Sequence, residues 1–262
     1  MKPGKVSIVG AGPGDPELIT VKALKRIREA DVILYDRLAN EELLAYAKPG
    51  AVKIYCGKAP GRHAAPQDEI NETLAAYALR GSIVVRLKGG DPLVFGRGGE
   101  EALALAERGI PCEIVPGITS SIGAAASARI PLTHRGIAGS VAIVTGNRCH
   151  DREARIRWDL LARGVDTLVV YMGVGKLGEI RAELLRHGKA ASTPVALIER
   201  ATLPDERIVV GTLADIHLLA ARMALSNPAL IVIGETVRIR EGLERLLEAE
   251  EAKPGFELSI AQ

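Results

Sequence analysis

The sequence predicts an α/β fold in two lobes, residues 1–116 around a mostly parallel sheet and 117–245 around a mixed one, with a charged tail over 246–262. Three observations predict it. Short β-branched runs alternate with longer stretches of helical periodicity, which is the mark of βαβ units. That alternation breaks at Val115-Pro116-Gly117 and resumes beyond it. Two apolar runs in the second half, 194–199 and 207–212, are joined only by the polar link Arg200–Glu206, so they form an antiparallel hairpin and make the second sheet mixed.

In the first lobe, strands are expected at 5–10, 31–35, 52–55, 82–87 and 111–115, with helical stretches near 20–29, 40–47, 66–80 and 99–108. After the break, a small-residue helix over 118–128 leads into Ile130-Pro131-Leu132. Strands at 140–145, 166–171, 194–199, 207–212 and 229–233 follow, with helices near 175–187 and 213–224. Periodicity weakens after Lys253, where the chain end is expected to fray. With 262 residues, 47% hydrophobic and 25% charged, the composition is that of an ordinary globular chain. Aromatics are only 3%, so the core must be aliphatic. A net charge of +2 excludes a strongly basic nucleic-acid binder. No apolar run reaches membrane-spanning length, and the first residues are not a signal peptide. Cys56, Cys112 and Cys149 lie far apart, with neither disulfide parity nor zinc spacing, and read as reduced thiols of a cytoplasmic protein.

The run at 83–87 ends in the most informative loop, where Gly89, Gly90, Gly96, Gly98 and Gly99 are interspersed with Asp91, Phe95 and Arg97 before a helix opens at Glu100. Glycine lets a backbone pass close to a ligand. Loops at the carboxyl ends of parallel strands are where α/β proteins bind small molecules. Gly10-Ala11-Gly12-Pro13-Gly14-Asp15-Pro16 follows the first strand and is another such loop. It departs from the dinucleotide pattern: Pro13 and Pro16 delay the helix, the third glycine falls one residue early, and strand 31–35 ends in Tyr35-Asp36-Arg37 with no acidic residue in the ribose position. Asp36 at that strand end either holds a polar ligand group, takes a proton, or simply caps a turn. Lys58, Arg62 and His63 form a basic loop that suits a carboxylate-rich ligand or a solvated surface. No residue with ligand spacing accompanies His63, so no metal site is expected. Thr119 and Ser120 stand where a helix begins, to cap it or to bind a ligand carboxylate. Arg135 follows a proline turn and is either a carboxylate clamp or a surface arginine.

Taken in order, these strings resemble the tetrapyrrole methylases, which use S-adenosylmethionine. Gly10 to Ala23 is similar to the family's first motif, Val85 to Glu101 to its signature, and Tyr35-Asp36-Arg37-Leu38 to the segment that reaches the tetrapyrrole. Pro131-Leu132-Thr133-His134-Arg135, Tyr171-Met172-Gly173, Ala201-Thr202-Leu203-Pro204-Asp205 and Asn227-Pro228-Ala229-Leu230 resemble further family segments, so the likeness runs from Val6 to about Gly242. The resemblance implies that Pro13, Gly89, Gly90, Asp91, Thr119, Ser120, Met172, Ala201 and Ala229 bind the cofactor. It places Arg135, Lys58, Arg62 and His63 against the substrate, and it singles out Arg97 as catalytic. The active site is then expected in the cleft between the lobes, in a homodimer that binds neither nucleic acid nor membrane.

The run Gly57–His63 followed by Gln67, Ile70 and Asn71 resembles the branch of the family that methylates uroporphyrinogen III at C2 and C7 to give precorrin-2, with S-adenosylhomocysteine as the other product. The chain resembles the stand-alone form, without the dehydrogenase and ferrochelatase domain of the fused siroheme synthases. The nucleophile of that reaction is a ring carbon, so no serine or cysteine nucleophile is needed, and no such motif is present. Arginine is a poor base, with a pKa above ~12, so Arg97 is read as orienting a propionate or stabilising charge, and proton removal falls to Asp36 or Glu100. The alternative within the family is a later precorrin methyltransferase of cobalamin synthesis, which the Asp36, His63 and Gln67 segments oppose. A nicotinamide dehydrogenase lacks its acidic ribose partner, and a carrier with a dead site is opposed by intact Gly89–Asp91 and Met172.

Overall fold

The computed structural model describes residues 3–57, 66–146 and 156–251. The chain divides into two compact units, Met1–Gly123 with Thr202–Pro204, and Ala124–Ala201 with Asp205–Gln262. Both belong to the α/β class expected.

The first unit is built on five strands, β1 (Lys5–Gly10), β2 (Val32–Tyr35), β3 (Val52–Tyr55), β4 (Ile83–Lys88) and β5 (Cys112–Val115), in the order β3-β2-β4-β1-β5. Every pairing is parallel. Helices α1 (Val21–Glu29), α2 (Gln67–Leu79) and α3 (Gly98–Ala106) cover it. Successive side chains on a strand point to opposite faces, and the two cores follow that alternation. Val9, Ile33, Val85 and Leu87 pack with Ala23 and Ile27 of α1 on one face. Val6, Ile8, Leu34 and Val84 pack with Ile70 and Leu74 of α2 and Leu105 of α3 on the other. A buried Leu or Ile contributes about 1.5–3 kcal/mol. Truncating the fully buried Ile8 to alanine would cost roughly 2–5 kcal/mol once the cavity is counted.

This arrangement fixes where a ligand can bind. The chain leaves β1 toward the α1 face and leaves β4 toward the α3 face, although the two strands are neighbours. Their connections therefore leave the carboxyl ends toward opposite faces, the place where open α/β sheets take ligands.

The second unit carries β6 (Val141–Thr145), β7 (Thr167–Tyr171), β8 (Pro194–Glu199), β9 (Arg207–Thr212) and β10 (Ala229–Ile233), in the order β6-β7-β10-β8-β9. β6 and β7 are parallel and the other pairings antiparallel, including the expected β8–β9 hairpin. Helix α4 (Ser120–Ser127) begins in the first unit and ends in the second.

Three elements differ from the sequence reading. The stretch near 40–47 is a 3-10 helix over Glu41–Tyr46, capped by the Asn40 side chain and too short to settle into an α-helix. Helix α5 (Trp158–Gly164), with seven residues, has too few positions to show a period. After α6 (Leu177–Arg186) and α7 (Ile216–Arg222), helix α8 runs Val237–Glu251, into residues read as tail, because its interleaved Arg and Glu mask its apolar stripe.

Candidate functional site

At the carboxyl edge of the first sheet, three loops meet backbone to backbone. Ala11 N–H donates to the Lys88 carbonyl at 2.7 Å, and Gly12 and Gly90 then exchange both of their hydrogen bonds. A Cβ on Gly10 would lie 2.5 Å from the Gly117 nitrogen, and one on Gly117 would lie 2.3 Å from the Gly90 oxygen. Only glycine fits at that junction. Asp91 ties it together: Oδ2 accepts from Gly117 N–H at 3.1 Å and Oδ1 from Leu93 N–H at 2.8 Å. Pro13 rests against Gly123, where a Cβ would come within 2.5 Å of its ring. Gly90 faces the start of α4, with the Ser120 nitrogen 3.8 Å from its would-be Cβ. The amino end of that helix carries partial positive charge. Thr119 opens the helix through its carbonyl, which accepts from Ile122 and Gly123 at 3.0 Å.

The loop after β4 stores backbone strain. Phe95 and Arg97 have φ of 53° and 59°, the left-handed region that side chains avoid. Neighbouring Gly96 and Gly98 sit over the Pro92 carbonyl with no room for a Cβ. Strain of this kind costs about 1–3 kcal/mol per residue and gathers at ligand sites. It turns Arg97 outward at the start of α3. There its guanidinium pairs with Glu100, Nη2 to Oε2 at 2.7 Å and Nε to Oε1 at 3.0 Å, with both side chains more than half exposed. The Glu100 hydrogen bonds push the Arg97 pKa further up, so its charge is permanent.

Asp36, past the end of β2, is partly exposed. Its Oδ1 accepts from Leu38 N–H at 3.1 Å and its Oδ2 from Arg86 Nη2 at 3.3 Å. Behind it lies a charge cluster that the sequence reading passed over. Arg86 and Lys88 lie on the α2–α3 face of the central strand and are only 3% and 4% exposed. Glu101 of α3 is fully buried, and its Oε1 accepts from Arg86 Nε at 3.1 Å, Lys88 Nζ at 2.9 Å and Gln67 Nε2 at 3.1 Å. Burial first, then repulsion from Arg86, lowers the Lys88 pKa against the pull of Glu101. The signal was present: two cations at alternate positions in a strand otherwise made of Ile, Val and Leu.

In the second unit, β10 runs against β7 and β8, so the ends of those two strands share an edge with its start. That edge gathers Met172, Ala201 and Ala229. Met172 is left-handed with φ of 53° and about half exposed. Arg200, beside Ala201, has φ of 49°, and its N–H donates to the Pro228 carbonyl at 2.9 Å, next to Ala229. Arg135 lies elsewhere in this unit, in the loop 133–139, which lines a cavity of about 390 Å³ and is closed by reciprocal hydrogen bonds between His134 and Ala138. Lys58, Arg62 and His63 lie outside the described residues, as does Cys149. Among the described residues, no group of His, Cys, Asp and Glu is placed to hold a metal, and no helix is long and apolar enough to cross a membrane.

Over residues 5–217 the chain matches the family of Tetrapyrrole (Corrin/Porphyrin) Methylases. A uroporphyrinogen-III C-methyltransferase of Priestia megaterium is 56% identical over 234 residues, which cover 89% of this chain and 98% of that protein. The crystal structure of a uroporphyrin-III C-methyl transferase from Thermus thermophilus, complexed with S-adenyl homocysteine, superposes with a TM-score of 0.76 at 46% identity, covering 90% of this chain and all of that one. A cobalt precorrin-4 methyltransferase structure gives a TM-score of 0.79 at 33% identity, over 89% of this chain and 95% of that one.

Proposed function

Because the chain belongs to the tetrapyrrole methylases, we propose that it transfers methyl groups from S-adenosylmethionine to C2 and C7 of uroporphyrinogen III, giving precorrin-2. The observation that carries this reading is 56% identity across nearly the whole length of a uroporphyrinogen-III C-methyltransferase. The later precorrin methylases share the fold, but the one compared is only 33% identical.

In each transfer the electron pair of a ring carbon forms the new C–CH3 bond. The S–CH3 bond breaks with its pair going to sulfur, and S-adenosylhomocysteine leaves neutral. The ring keeps one positive charge, which is discharged when a base removes a proton. We assign that proton to Asp36, which meets its arginine through a single long hydrogen bond at 3.3 Å, whereas Arg97 engages both Glu100 oxygens. Arg97 is assigned to a substrate propionate, and Arg135 with Lys58, Arg62 and His63 to further carboxylates. Cofactor binding is assigned to Pro13, Gly89, Gly90, Asp91, Thr119 and Ser120 in the first unit and to Met172, Ala201 and Ala229 in the second. The amino end of α4 lies beside Gly90 and carries partial positive charge, which suits the carboxylate at the methionyl end of that cofactor. Aligning carbon and methyl in a dry site supplies much of the rate. We further propose a cytoplasmic homodimer, to be checked by light scattering at micromolar concentration. The test of function is incubation with labelled S-adenosylmethionine and uroporphyrinogen III. A dimethylated product is expected; its absence from folded protein that binds S-adenosylhomocysteine would overturn the substrate assignment.

A further inference from the structure

We propose that Glu101 is a positioning residue: by holding one edge of the Arg86 guanidinium inside the first unit, it fixes where the other edge meets Asp36. The inference rests on the reading of Asp36 as the base. Three contacts pin the guanidinium, Nε to Glu101 at 3.1 Å, Nη1 to the Leu87 carbonyl at 3.0 Å and Nη2 to Asp36 at 3.3 Å. A planar fork held on three sides cannot turn.

Charge counting says why Glu101 is needed. Arg86 and Lys88 are two buried cations, and Glu101 is the one fully buried carboxylate between them. One positive charge is left over, and Asp36 is the anion it faces. Were Glu101 absent, Asp36 would be the only carboxylate bonded to this cluster among the described residues. Arg86 would be released from its inner contact and free to clamp Asp36 through both nitrogens, which is the preferred arginine–carboxylate geometry. A clamped carboxylate is displaced from its partly open position and weakened as a proton acceptor.

One detail separates this from simple stapling. Glu101 Oε1 accepts three donors while Oε2, equally buried, has no hydrogen-bond partner among the described residues. All three donors meet on one oxygen, so the inner edge of the fork is held at a single point.

A double-mutant cycle on the full chain tests the proposal. Glu101→Gln should lower kcat for uroporphyrinogen III about tenfold to a hundredfold, a fraction of what general-base catalysis supplies. KM and the affinity for S-adenosylhomocysteine should stay within about twofold of the parent. In an Asp36→Asn background the same change should cost less than about twofold more, because it acts through a group already removed. An unchanged kcat in Glu101→Gln, or the full drop persisting beside Asp36→Asn, would overturn the inference while leaving Asp36 as the base. A normal rate in Asp36→Asn alone would overturn the reading of the base and the inference with it. If Glu101→Gln does not fold, Arg86→Lys takes its place in the same cycle, since an ammonium keeps the charge but cannot span both carboxylates.

Discussion

Among the described residues, each unit buries one carboxylate, and the two are held in opposite ways. Glu199, at the end of β8, is 2% exposed and satisfied on both oxygens. Oε1 accepts from the Ser226 N–H and hydroxyl at 2.9 and 2.8 Å, and Oε2 pairs with a half-exposed Arg207. Burial pushes its pKa up, but the Ser226 bonds and Arg207 outweigh that and hold it below the usual value. Glu101 is satisfied on one oxygen only and faces two cations that are themselves buried. Glu199 fastens β8 to the turn before β10, whereas Glu101 stands behind Asp36, joined to it through Arg86. A buried carboxylate whose polar partners are fully matched adds rigidity to the fold around it, which is the role of Glu199.

If that division is right, the largest effect on turnover comes from the first unit and leaves the fold alone. Arg97→Ala should lower methylation at least about a hundredfold, the scale of losing one charge-stabilising donor. Its melting temperature should stay near that of the parent, because the Arg97–Glu100 pair is exposed and such pairs contribute about 0–1 kcal/mol. Near-normal methylation by folded Arg97→Ala would remove Arg97 from the catalytic assignment.

The mirror experiment is Glu199→Ala. It strips a buried partner from Ser226 and Arg207 and should destabilise the protein by about 2–4 kcal/mol, read from the denaturant midpoint. A loss under about 0.5 kcal/mol would mean that full satisfaction at Glu199 contributes nothing, and the distinction from Glu101 would go.

Much of this was legible beforehand. All ten strands stand within a residue or so of their expected places, since apolar runs of four to six residues bounded by Gly, Pro or Asp leave little choice. The hairpin followed from the short link at 200–206. What escaped was tertiary. Gly10 and Gly90 suggested ligand loops and Gly117 a break between lobes, yet their immediate cause is that three loops touch one another, which no local pattern shows. Arg86 was absorbed into an apolar run because its partner Glu101 lies fifteen residues away on a helix. The strained φ at Phe95, Arg97 and Met172 is likewise visible only in three dimensions.

Arg135 sharpens the contrast within the second unit, where it is an exposed loop residue with no core role. Arg135→Ala should raise KM for uroporphyrinogen III about tenfold, near the 1.4 kcal/mol of one charged hydrogen bond, and leave S-adenosylhomocysteine affinity unchanged by calorimetry. Intact porphyrinogen affinity with lost cofactor binding would assign this arginine to the other ligand.

The smallest effect comes from a third carboxylate, which separates burial from charge. Glu113 of β5 meets Lys22 Nζ at 2.6 Å, Arg26 Nε at 2.7 Å and Lys5 Nζ at 3.7 Å, one more cation than Glu101 has, but at the surface. The Arg26 and Lys22 hydrogen bonds, against a little desolvation, hold its pKa down to about 2 from an ordinary 4.5. A depressed carboxylate stabilises the fold above its unfolded pKa, and that contribution drains away as pH falls through the window from 4.5 to about 2. With solvent screening, the whole contribution is about 1 kcal/mol. Glu113→Gln should therefore be less stable than the parent by roughly that amount near neutral pH, and the gap should narrow steadily once the pH drops below the unfolded value. Urea midpoints of the two proteins, compared at neutral pH and at the lowest pH where both remain folded, measure it. Turnover should not change in either case. A gap that is constant with pH would mean that Glu113 contributes through packing rather than charge. A fall in turnover would mean that surface pairs on this sheet reach the site, and burial would no longer explain why Glu101 does.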